Sequence, residues 1–122
     1  AMHDQLSLAE NLQLQTQAID FASIGDLQHL RHISRKSYPV IPNAKDPKGR
    51  SCLHVAAMNG HLAVCRWLLS EANTSTLLLD ADGKSAFDLA VAENHTEVMS
   101  LLRKWPVNTA SANNNDEKDL YK

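Results

Sequence analysis

The chain has 122 residues, 43% hydrophobic and 21% charged, with a net charge of −2. That length suits one small domain of ordinary globular composition, and so small a charge excludes a global pull toward nucleic acid or an anionic membrane. Two cysteines, Cys52 and Cys65, are too few for a disulfide scaffold. With no secretory leader and no apolar run of membrane-spanning length, the expectation is an intracellular chain, cytoplasmic or nuclear. Aromatics make up only 5%, so the core must come from Leu, Val, Ile and Ala.

Residues 6–22 hold no Gly or Pro and many helix formers, which predicts a helix at the start of the chain. Residues 1–17 are read as an N-terminal extension, partly helical and capping, and 18–45 as the first and most divergent of three related segments. The charges are uneven. The first 25 residues carry three acids and no base, whereas Asp26 to Arg50 holds six Lys or Arg against two Asp.

The segment Asp46 to Leu69 can be laid over Asp80 to Arg103 at a constant offset of 34. Gly49 meets Gly83, Ser51 meets Ser85, Leu53 meets Phe87, Ala56 meets Ala90, His61 meets His95 and Leu68 meets Leu102. A fainter copy precedes them: Ala22, Gly25, Leu27 and Ile33 match Ala57, Gly60, Leu62 and Leu68 at offset 35. Each copy has the same physical logic. Ser51 and Ser85 are good helix N-caps, since the hydroxyl accepts an orphan backbone N–H. A short helix with small residues on one side follows, and Gly60 or Asn94 ends it. A second helix carries apolar residues at helical spacing: Leu62, Cys65, Leu68 and Leu69, then Val98, Met99, Leu101 and Leu102. Asp46 to Gly49 and Asp80 to Gly83 read as turns.

Asn43 to Val64, with Ser51-Cys-Leu-His54 at the helix start, closely resembles the ankyrin repeat, whose helix opens with Thr-Pro-Leu-His. The period agrees with the family's ~33 residues. The resemblance implies an all-α fold: an ankyrin-repeat solenoid of stacked helix-turn-helix units with short hairpin-like loops, the copies at 18–45, 46–79 and 80–105. The last copy departs from the pattern at Asp88 and Arg103 and is expected to act as a cap. Trp105-Pro106 should stop the helix, and 106–122 should form a disordered polar tail.

Cys52, His54, His61 and Cys65 invite a zinc reading, but their spacing fits no known ligand pattern. The resemblance instead implies that His54 bonds neighbouring backbone and links adjacent repeats. Cys65 sits on an apolar stripe, where Cys behaves as a small hydrophobe. No phosphate loop, nucleophile elbow or metalloprotease motif is present. The chain is therefore read as no enzyme, with no catalytic, cofactor or metal residues. Arg31, Arg35, Lys36, Lys45, Lys48 and Arg50 lack the aromatic interleaving of a nucleic-acid site beyond Tyr38, so no nucleic acid and no membrane is expected as a partner.

The resemblance implies binding on the concave side, through loop tips and the outward positions of each first helix. Carried onto this chain, the partner-binding residues are Lys45, Lys48 and Arg50 in one loop and Asp82 and Lys84 in the next. On the helices they are Val55, Met58 and Asn59, then Leu89 and Glu93. The expected function is a non-catalytic module presenting this surface to another protein or peptide of acidic character. The alternative is a regulatory or oligomerising appendage of a larger enzyme or channel. Self-association through the apolar end faces is allowed but not implied.

Overall fold

A computed structural model describes residues 8–36, 40–72 and 74–105. Among them the chain forms helices and no strand. In order these are α1 (Leu8–Ile24), α2 (Leu27–Lys36), α3 (Val40–Asn43), α4 (Cys52–Met58), α5 (Leu62–Ser70), α6 (Ala86–Ala92) and α7 (Thr96–Lys104). Three antiparallel pairs, α1–α2, α4–α5 and α6–α7, stack side by side. The first helices form one layer, with α4 packed between α1 and α6, and the second helices form the other.

The caps explain where the short helices begin. Ser51 Oγ accepts the His54 backbone N–H, while the His54 ring accepts the Ser51 N–H. Ser85 and Asp88 form the same reciprocal pair at the start of α6. Two of the four orphan donors of each helix are met in this way. Gly60 (φ 77°) and Asn94 (φ 62°) end the first helices in the left-handed region, which Gly and Asn enter most readily.

The core runs between the two layers. Ala18, Ala22, Leu30, Leu53, Ala56, Cys65, Leu68 and Ala90 are all but fully buried. Small residues dominate the first helices, so the helices approach closely. Larger ones on α5 fill the space behind them. At roughly 25 cal/mol per Å² of apolar surface, a buried Leu such as Leu68 contributes about 1.5–3 kcal/mol.

Two features depart from the regular repeat. Helix α1 has 17 residues where α4 and α6 have 7. It runs unbroken through the boundary expected at residues 17–18, and its early residues Leu8 and Leu12 are exposed. Helix α3 was not foreseen. It sets Val40 and Ile41 into the core against α1 and α2. The tail expected at 106–122 lies outside the described residues.

At the C-terminal end, Asp88 and Arg103 replace the buried His54 and Leu69 of the preceding copy. Arg103 lays its guanidinium 5.6 Å from the centre of the Phe87 ring, a cation–π contact over an apolar face that no helix among the described residues covers. With Thr76 and Leu102 these two side chains line an open depression of about 350 Å³. Trp105 leaves α7 in an extended conformation (φ −71°, ψ 129°), the one favoured for a residue before a proline.

Candidate binding surface

The loops between pairs form two fingers built on the same bonds. Asp46 Oδ1 accepts the N–H groups of Lys48 (2.9 Å) and Arg50 (2.8 Å). Asp80 Oδ1 accepts those of Asp82 and Lys84, both at 2.9 Å. The Lys84 N–H is the chief reason that the Asp80 carboxyl is held below its ordinary pKa. The Ala81 N–H donates to the Lys48 carbonyl (2.9 Å) and ties the fingers together. Bonds within each finger and between the two make the pair a preformed edge.

On this edge Lys45, Lys48, Asp82 and Lys84 are exposed, and none of them makes an ion pair among the described residues. Arg50 is different. Its Nε lies 3.2 Å from Asp46 Oδ2, with only 19% of the side chain exposed, and its Nη1 donates to the Met58 sulfur at 3.2 Å. Arg50 and Met58 therefore brace each other at the root of the finger.

The helix positions divide in the same way. Val55, expected to face outward, is buried (4% exposed). It lies on α4, which is packed on two sides by α1 and α6, so it offers no contact surface. Asn59 is exposed, but its amide donates to the carbonyl (3.1 Å) and hydroxyl (3.0 Å) of Ser23 in the copy before. Leu89 is half-buried, and Glu93 is exposed as the C-cap of α6. Of the expected binding residues, Lys45, Lys48, Asp82, Lys84 and Glu93 are exposed and make no ion pair among the described residues.

The residues that invite a zinc reading serve the stack. His54 Nδ1 accepts from Ser51, and Nε2 is 2.9 Å from the Lys84 carbonyl, so both ring nitrogens are occupied. His61 Nε2 lies 2.9 Å from the Ser23 carbonyl, and its ring packs on Gly25. Sequence reasoning missed this link, although the recurrence of His61 as His95, each following a glycine or asparagine, was its signal. Cys52 and Cys65 are fully buried, and burial pushes both thiols up to about 12. They stay protonated near neutral pH, and the thiolate is the reactive form. Among the described residues no three His, Cys, Asp or Glu side chains are placed to hold a metal ion, and no helix is long and apolar enough to cross a membrane.

Paired helices stacked at a 34-residue period, with bonded fingers projecting from one edge, define a repeat protein. The chain belongs to the ankyrin-repeat family: residues 17–116 match the family described as "Ankyrin repeats (3 copies)". Repeats of this family are protein-interaction modules. The chain is also 33% identical over 81 residues to the protein named "Glutaminase liver isoform, mitochondrial" in Mus musculus, and equally to the one so named in Rattus norvegicus. Each match takes in 66% of this chain, which spans about 13% of the length of either relative.

Proposed function

We propose that this chain is a non-catalytic docking module that binds an acidic segment of a partner protein along its two fingers. The observation that carries this reading is the finger edge itself. Asp46 and Asp80 are bonded inward, and Lys45, Lys48 and Lys84, with Asp82 as the one acid among them, are exposed and unpaired across two joined loops. A preformed edge loses little conformational entropy on binding, and clustered cations raise the encounter rate with an acidic partner. Glu93 and Asp82 would set the direction in which that partner lies.

The test is titration of the full chain with a fluorescein-labelled hexaglutamate peptide at low salt. The double substitution Lys45→Glu with Lys48→Glu should abolish binding and leave the fold intact. Undiminished binding by that variant would overturn the finger edge as the contact.

A second reading is favoured by the two glutaminase relatives, of which this chain spans only 13%. In it the stack is a regulatory or oligomerising appendage of a larger enzyme. The full-length gene decides between them: a catalytic domain beside the repeats supports the appendage, and its absence leaves the free-standing module. Placement inside the cell, in cytoplasm or nucleus, remains part of the first proposal.

A further inference from the structure

The second helices leave a groove on the back of the stack, away from the fingers. It has a volume of about 260 Å³ and lies between α5 and α7. Its apolar lining is Leu62, Leu101 and Trp105, each half-buried. Arg66 and Lys104 flank it, with Glu97 at its edge, and all three charged side chains are exposed without an ion pair among the described residues.

The repeat frame does not require this chemistry. At the offset of 34, Trp105 corresponds to Glu71, and each is the C-cap residue of its second helix. Lys104 likewise corresponds to Ser70. The neighbouring copy therefore closes its second helix with an exposed acid and a small polar residue. An aromatic ring and a cation at those two places are additions to the frame. Half-exposed Trp beside cations is the make-up of contact sites: aromatic and Arg side chains supply most binding energy at interfaces. The volume is below the ~300–1,000 Å³ of small-molecule sites, but it suits one or two peptide side chains.

We propose that this groove is a second docking site, which takes a short acidic peptide segment by one aromatic or aliphatic side chain. That side chain would lie on Leu62, Leu101 and Trp105, and carboxylates on either side of it would meet Arg66 and Lys104. Two cations against one acid make the rim complementary to a negative segment and unfavourable to a positive one.

The experiment is a titration of the full ¹⁵N-labelled chain with the blocked peptide Glu-Phe-Leu-Glu, followed by NMR, with Lys-Phe-Leu-Lys as its counterpart. The amides of Leu62, Arg66 and Leu101 and the Trp105 indole should shift with the acidic peptide alone. Arg66→Glu with Lys104→Glu, both at exposed positions, should weaken binding at least about tenfold. Trp105→Glu, which copies the neighbouring repeat, should do the same with the fold intact. Lys45→Glu with Lys48→Glu should leave these groove shifts unchanged, which keeps this site separate from the finger edge. Shifts confined to the fingers, equal binding of the lysine peptide, or no shifts at millimolar peptide would each overturn the proposal.

Discussion

His54 Nε2 sits 2.9 Å from the carbonyl oxygen of Lys84, 30 residues further along the chain. The same ring accepts the Ser51 N–H at the start of its own helix. One buried imidazole thus closes α4 locally and fastens the second copy to the third. Asp88, at the equivalent place in the last copy, performs only the local half: its Oδ2 accepts the Ser85 N–H at 3.0 Å, and it is exposed.

This difference gives a paired prediction. His54→Ala should cost about 2–4 kcal/mol, because it leaves a cavity and removes the bond to Lys84. Asp88→Ala should cost about 0.5–1 kcal/mol, the loss of an exposed capping bond. Urea unfolding of the two variants measures the gap. Equal losses would mean that the bond to Lys84 contributes nothing.

The glycines allow a second comparison at matched backbone. Gly60 and Gly83 have nearly the same φ, 77° and 75°. A Cβ on Gly60 would lie 2.6 Å from Nδ1 of His95, whereas one on Gly83 would meet nothing within 4 Å. Gly83→Ala should therefore cost about 1 kcal/mol, the strain of a left-handed L-residue. Gly60→Ala must also displace the His95 ring and should cost about 2–3 kcal/mol. Thermal unfolding of both checks the order.

Much of this frame was legible because the period of 34 repeats the caps together with the hydrophobic pattern. Ser51 and Ser85, Gly60 and Asn94, and the two finger aspartates each announce a bond within a few residues, and those bonds are local. The candidate surface was less legible, for a physical reason. Whether Val55 is exposed depends on the helices stacked on either side of α4, and the pattern of α4 alone carries no signal for that. Asn59 and Arg50 read as free polar groups, yet their partners are Ser23 of the copy before and Met58 on the neighbouring helix. Helix α3 was invisible because four residues that follow Pro39 and include Pro42 show no period.

The thiols make a pH prediction. Burial raises both Cys52 and Cys65 from 9.0 to about 12. Holding a thiol neutral in the folded state gives stability that is present below the unfolded value and lost as pH rises from about 9 toward 12. The urea midpoint should therefore fall with pH above about 9, and less steeply in Cys65→Ala. At pH 8 a thiol-specific reagent should react with the native chain only as fast as the chain opens, and at once in urea. Prompt reaction of the native protein would contradict the burial of both sulfurs.

Lys48 and Arg50 lie two residues apart on one finger, yet their charge reversals should differ in kind. Lys48 is exposed and unpaired, so Lys48→Glu should change stability by no more than about 0.5 kcal/mol. Arg50 lies against Asp46 and Met58 with 19% of its side chain exposed. Arg50→Glu would set a carboxylate beside the Asp46 carboxylate, whose other oxygen is committed to the turn, and would strip the Met58 contact. A cost of about 1–3 kcal/mol follows, a fall of roughly 4–8 °C in Tm per kcal/mol for a domain of this size. Calorimetry on both variants decides the matter. An unshifted Tm for Arg50→Glu would make Arg50 a free surface cation and return it to the binding edge. The expected fall makes Arg50 the brace that holds Lys45 and Lys48 in place, so a loss of binding in Arg50→Glu could not be assigned to contact, whereas a loss in Lys48→Glu could.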